Sequence, residues 1–123
     1  MDAERRVREF CDAFVRRDPK ELLGFLADDA VYHNIPMAPL RGHAAIEAVL
    51  RQFLEPCTRV EFELLAIASR GGTVLTERVD RFWLANGKTI ELPVMGAFEV
   101  GADGRISAWR DYFDLQQYLK QAG

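Results

Sequence analysis

The stretch Arg59–Ser69, RVEFELLAIAS, alternates where the chain before it repeats at helical spacing. Val60, Phe62 and Leu64 fall on one face, Glu61 and Glu63 on the other, the pattern of a half-buried strand. Three turn dipeptides follow: Gly71-Gly72, Asn86-Gly87 and Asp103-Gly104. Each suits a tight hairpin, so the spacing predicts further strands over 73–84, 88–100 and 105–113. Upstream, Val7, Phe10, Cys11, Phe14 and Val15 predict an amphipathic helix over 3–17. Asp18, Pro19 and Glu21 form a capping-box-like start for a short second helix through 22–26. AVYHNI, 30–35, reads as a short strand ending before Pro36, and MAPLRG, 37–42, as a loop. Ile46, Val49, Leu50 and Phe53 mark another helix, stopped near Pro56, and Asp114 is placed to cap a last one over 115–121. Helices first and long hairpin-linked strands afterwards predict an α+β fold, a curved antiparallel sheet with helices packed on one face. Such a sheet closed by helices is a cone with an apolar interior, a natural ligand pocket. Pro93 or Gly96 is expected to mark a bulge or an edge.

The rest of the chain narrows the function classes. Its 123 residues suit one domain spanning 1–123, and 49% hydrophobic content argues against disorder. A net charge of −3 gives no basic field for nucleic acid or anionic lipid. The opening MDAERRVREF is charged, so neither a signal peptide nor a membrane span is expected, and a cytoplasmic location is. Cys11 and Cys57 sit among apolar neighbours and read as buried free thiols. His33 and His43 lack carboxylates or cysteines at metal-site spacing, so no metal is expected. Arg5, Arg6, Arg8, Arg16 and Arg17 read as the solvated side of the first helix.

The chemistry concentrates in TERVDRF, 76–82, and WRDYFD, 109–114. On a strand Arg78, Asp80 and Phe82 share a face, although period alone does not say whether that face looks inward. Along 106–113, Ser107, Trp109, Asp111 and Phe113 share a face whose aromatics suit a core. If both faces look inward, Arg78 and Asp80 meet Asp111. In a dry pocket that set is favoured when neutral, with one carboxylate, one protonated carboxyl and a guanidinium that forks to both. The acid and the base then coexist and titrate as a unit. An ordinary structural ion pair on a sheet surface fits the same period. Tyr32 and Asn34, two apart in VYHNIP, add a phenol and a carboxamide able to hold a water between donor and acceptor.

VYHNIPMAPLRG, TERVDRF, GKTIELPVMGAFEV and WRDYFDLQQY together resemble the limonene-1,2-epoxide hydrolase family, of the nuclear-transport-factor-2-like superfamily. The resemblance runs in register from about Phe10 to Leu119. Tyr-x-Asn, Arg-x-Asp and Trp-Arg-Asp-Tyr-Phe-Asp, in that order and spacing, are specific to it. It implies that Asp111 takes a proton from a water also held by Tyr32 and Asn34. It implies equally that Asp80 protonates the epoxide oxygen and that Arg78 bridges the two carboxylates. The substrates implied are water and a small hydrophobic epoxide, with no cofactor and with a homodimer formed through the outer face of the sheet, to which Arg81, Trp83 and Met95 would contribute. Wall positions that are mostly aliphatic in the family are Phe14, Phe53, Phe62 and Phe82 here, with Leu92 and Val94 retained. The competing readings on the same fold are an isomerase or cyclase with an aspartate base, and a non-catalytic small-molecule binder.

Overall fold

A computed structural model describes residues 2–123. The first helix, α1, covers Ala3–Ala13 and is capped by the Asp2 carboxylate, which accepts from the Arg5 amide at 3.2 Å. A 3₁₀ turn, Phe14–Arg16, continues it and ends at Arg17 in the left-handed region, φ 52°. The tighter turn carries Val15 out of the apolar stripe, so Val15 is exposed rather than buried as its helical spacing predicts. α2, Pro19–Leu23, starts on an Asp18 cap. Glu21 does not close the expected box; its carboxylate is taken by the Arg16 guanidinium, Nε lying 2.8 Å from Oε1 and Nη2 2.7 Å from Oε2, a fork that a backbone amide does not match.

The strands are β1 (Leu26–Asn34), β2 (Leu40–Arg41), β3 (Cys57–Arg70), β4 (Thr73–Leu84), β5 (Thr89–Val100) and β6 (Ile106–Tyr112), with α3 (His43–Leu54) between β2 and β3 and α4 (Leu115–Ala122) last. They form one curled sheet in the order β2-β1-β6-β5-β4-β3. The three expected hairpins are present, with Gly71, Gly87 and Gly104 at φ 58°, 90° and 81°, where only glycine is free of strain. Asp114 caps α4 through the Gln116 amide.

Three features depart from the sequence expectation. The sheet is mixed, because β1 runs parallel to β6, pairing Tyr32 with Trp109 and Asn34 with Asp111. The segment between β1 and α3 is not all loop: Leu40–Arg41 pairs back on Tyr32 and Val31. The bulges lie elsewhere than Pro93 and Gly96, through which β4 and β5 pair without interruption. One bulge displaces Leu65 in β3, between Leu64 and Ala66, and another displaces Ser107 in β6 opposite Glu99 and Val100. The second turns Ser107 outward, where its hydroxyl donates to the Glu99 carbonyl at 3.3 Å, and gives its inward place to Ile106.

The helices cover the concave face. Val7, Phe10 and Cys11 of α1, Ile46, Leu50 and Leu54 of α3, and Val74, Phe98, Ile106 and Trp109 of the sheet form one core. Both cysteines are free and buried. Among the described residues no helix is long and apolar enough to cross a membrane.

Candidate active site

The concave face resolves the ambiguity that period left open. Along β4, Val74, Thr76, Arg78, Asp80 and Phe82 point inward and are buried, and so does Asp111 on β6. Arg78 is only 1% exposed, Asp80 and Asp111 each 4%. The side of the guanidinium forks onto Asp80: Nε donates to Oδ1 and Nη2 to Oδ2, both at 2.9 Å. Nη2 also donates to Asp111 Oδ2 at 3.0 Å. Nη1 donates to the Thr76 hydroxyl at 3.2 Å. The Phe62 ring lies 5.0 Å from the guanidinium carbon, so an aromatic wall shields the cluster from water.

β4 and β6 are not neighbours; β5 lies between them. The residue it places opposite both Thr76 and Asp111 is Gly96. A β-carbon there would stand 2.4 Å from Arg78 Nη1, 2.7 Å from Thr76 Oγ1 and 3.0 Å from Asp111 Oδ1. The cluster therefore closes across an intervening strand only because that strand has no side chain at this point. Thr76 and Gly96 are the two members that sequence reasoning missed. The signal for Gly96 was an isolated glycine in a strand pattern, and close approach rather than a bulge is what it marks.

Burial pushes the Asp80 carboxyl up to about 6, with the attached Arg78 pulling it back and Asp111 adding to the rise. Burial also works against the Arg78 charge, yet Asp111 and Asp80 hold Arg78 protonated far above ordinary pH. Burial likewise raises the Tyr32 phenol, so it stays a hydroxyl and a donor. Cys11, behind the cluster on α1, is pushed up to about 12 by burial and remains a thiol.

The raised Asp80 value has a consequence for stability. The unfolded carboxyl ionises near pH 4 and the folded one near 6, so between these values the folded state holds more proton. Stability accordingly falls as pH rises through that window, by up to about 1.4 kcal/mol per pH unit, and is level above it. Denaturant melts at pH 4.5 and 6.5 check this: wild type is expected to lose stability relative to Asp80→Asn between the two.

Asp80 and Asp111 open on a narrow, mostly apolar cavity with about 40 Å³ of room for the centre of a water-sized molecule. All six wall residues expected from sequence, Phe14, Phe53, Phe62, Phe82, Leu92 and Val94, line it. Tyr32 and Asn34 reach it from β1, brought there by the parallel pairing with β6. Leu50 and Leu54 of α3, Phe113 and Tyr118 complete the wall and were not singled out from sequence. Tyr32 stacks on Trp109 at 3.8 Å, which fixes its ring. Asp111 Oδ1 is buried without a hydrogen-bond partner. His33 and His43 stand apart, each bonded to a backbone carbonyl, Met37 and Leu26 respectively. Among the described residues no three or more His, Cys, Asp or Glu side chains converge as metal ligands would.

Two buried carboxyl groups with an arginine between them, at the wall of an apolar cavity, form a set whose protons could be exchanged with a small molecule bound there. Comparisons with known proteins point the same way. The model of the limonene-1,2-epoxide hydrolase catalytic domain matches residues 1–123. The chain is 34% identical over 114 residues to the epoxide hydrolase EphG of Mycobacterium tuberculosis, covering 93% of this chain and 74% of that protein. It is 36% identical to the solved structure of a limonene-epoxide-hydrolase-like epoxide hydrolase from M. tuberculosis, with a TM-score of 0.79 over 97% of this chain and 87% of the other. The epoxide hydrolase/cyclase-like enzyme SalBIII, of pyran ring formation in the polyether salinomycin, shares the fold alone: 13% identity, TM-score 0.84, 94% of this chain and 92% of the other. The fold is the nuclear-transport-factor-2-like one.

Proposed function

The chain belongs to the limonene-1,2-epoxide hydrolase family, and we propose accordingly that it adds water to a small hydrophobic epoxide in one step, giving a vicinal diol. The observation that carries this reading is Arg78 held between two buried carboxylates at the wall of an apolar cavity. An epoxide is strained, but water is a weak nucleophile and an alkoxide a poor leaving group. Asp111 answers the first defect and Asp80 the second, each contribution being typically ~10²–10⁴-fold.

In this reading a water held by the Tyr32 hydroxyl, the Asn34 carboxamide and Asp111 gives its proton to the Asp111 carboxylate. Its oxygen attacks an epoxide carbon, the opposite C–O bond breaks, and the departing oxygen takes the Asp80 proton. Asp111 ends protonated and Asp80 ionised, and the net charge of the cluster is unchanged. A proton passing from Asp111 to Asp80 resets the site. Neither an organic cofactor nor a metal enters the scheme, because the strain of the ring and the two carboxyls supply the chemistry. Positioning of the water adds an entropic share. The four phenylalanine rings suit a small or flat substrate.

The isomerase or cyclase reading needs an aspartate base but gives Arg78 no partner to bridge to, and a plain binder gives no reason to bury two carboxylates in an apolar wall. As part of the same reading we take the protein to be a cytoplasmic homodimer. Leu65, Leu75, Met95 and Tyr112, all about half exposed on the outer face, form the apolar patch for that contact. Arg81 and Trp83 are less available to it than their alternation suggests. Arg81 is tied to Glu61, Glu63 and Glu91, and Trp83 lies under Arg59.

Diol formation from a panel running from styrene oxide through limonene oxide to a bulky sterol epoxide, read by mass spectrometry, tests the reaction class. Turnover of the smaller members is expected. A folded protein that opens none of them would refute the reading.

A further inference from the structure

Thr76 is completely buried, does not line the cavity, and yet its hydroxyl accepts from Nη1, the one guanidinium nitrogen that neither aspartate uses. A guanidinium offers two forks, one on its side and one at its end. Asp80 occupies the side fork fully, through Nε and Nη2. The end fork faces Asp111 but is only half used: Nη2 reaches Oδ2 at 3.0 Å, while Nη1 turns to Thr76 at 3.2 Å. Asp111 Oδ1 is left without a partner. Nη1, Thr76 Oγ1 and Asp111 Oδ1 all converge on one point, the empty β-carbon position of Gly96, at 2.4, 2.7 and 3.0 Å. Nη1 and Asp111 Oδ1 thus border the same small space.

We propose that Thr76 is a positioning residue that holds Arg78 Nη1 off Asp111, so that Oδ1 stays free to accept a proton. The role rests on the reading of Asp111 as the base. A carboxylate clamped by both arms of the end fork would be a poorer proton acceptor, because each charge-assisted hydrogen bond stabilises its ionised form. Thr76 draws Nη1 toward itself and is anchored in turn by donating to the Gly96 carbonyl at 3.5 Å. Gly96 supplies the space in which the choice is made. A neutral hydroxyl suits this role, since a third carboxylate would draw Nη1 as well but add charge to a dry site. The other titratable groups facing the pair are Arg78 on β4, Tyr32 on β1 and Cys11 on α1, and the last two stay neutral across the working range.

The test needs no substrate. Thr76→Val keeps the shape and removes the hydroxyl; Thr76→Ser keeps the hydroxyl; Thr76→Ala is the companion if the valine variant does not fold. Carboxyl carbons of ¹³C-labelled aspartate are followed by NMR from pH 3 to 9, and the apparent midpoints of the Asp80–Asp111 pair are read. Loss of the hydroxyl is expected to lower the first midpoint of the pair by about one pH unit or more, what one added charge-assisted hydrogen bond is worth. Serine is expected to restore the wild-type curve, which a general packing role for Thr76 would not require. With a turned-over epoxide, the hydroxyl-free variant should also lose kcat by about tenfold or more while KM holds, with the acid limb of the rate profile moved down. Unchanged midpoints in a folded Thr76→Val or Thr76→Ala protein would overturn the proposal. Shifted midpoints in a protein that opens no epoxide would support it while refuting the proposed reaction.

Discussion

Asp111→Asn is expected to lower kcat by about 10³-fold or more while the protein keeps its fold and melts near the wild-type temperature. The amide oxygen still accepts from Arg78 Nη2, so the contact now at 3.0 Å survives. What is lost is the ability to take a proton from water, and no neighbour replaces it. Tyr32 is held as a phenol by burial, Cys11 as a thiol, and Asp80 is committed to the side fork of Arg78. The change also removes one negative charge from the buried set, leaving Arg78 with Asp80 alone. That pair is neutral when Asp80 is ionised, so Asp80 should also give up its proton more readily and fail as the acid. Base and acid are thus disabled by one substitution, which is why the loss should exceed that of a single group. Steady-state kinetics on the best epoxide, beside a thermal melt, check both halves. Turnover at the wild-type rate would remove Asp111 from its assigned role.

Arg78→Lys is expected to cost about 10²-fold or more in kcat/KM and to destabilise the fold by roughly 3–5 kcal/mol, although the formal charge is unchanged. Arg78 makes four side-chain hydrogen bonds in three directions, to Asp80 twice, to Asp111 and to Thr76. An ammonium is a point with three donors and cannot lie flat between two carboxylates on strands separated by a third. It also gives up its proton more easily in a dry site, and a neutral lysine would leave the carboxylates uncompensated. The ring of Phe62, 5.0 Å from the guanidinium carbon, loses a flat partner. A denaturant melt and a kinetic assay on the same preparation separate the two effects. A lysine variant as stable and active as wild type would show that the fork is dispensable.

The strands, their turns and the inward faces were readable because those signals are local. Alternation placed Arg78 with Asp80, the aromatics around Asp111 chose its face, and glycines in the turns fixed the hairpins. Pairing over long separations left no comparable mark. Nothing in AVYHNI says that its strand runs parallel to the last one, yet this pairing sets Asn34 beside Asp111. The hairpins put β5 between β4 and β6 but do not say which of its residues faces Thr76 and Asp111, so the close approach that Gly96 permits was invisible and the glycine read as a bulge or an edge. The bulge at Ser107 shifts one residue without altering the alternation of its neighbours, and so left the face of Asp111 correct and that of Ser107 wrong. Thr76 looked like one more strand residue, because a hydroxyl acquires its meaning only from the unused guanidinium donor beside it. The aromatic walls were named through family resemblance; helical spacing offered Phe14 and Phe53, but a core explains them equally well.

Direct attack by water, the heart of the proposed mechanism, is read out by a single turnover in ¹⁸O-labelled water, with protein in excess over an epoxide that it opens. A water held between Tyr32, Asn34 and Asp111 requires the first diol released to carry ¹⁸O from solvent, with none in the protein. Unlabelled diol in the first turnover, with ¹⁸O later found in an aspartate of the digested protein, would mean that a carboxylate attacks the epoxide itself and that the one-step mechanism is wrong.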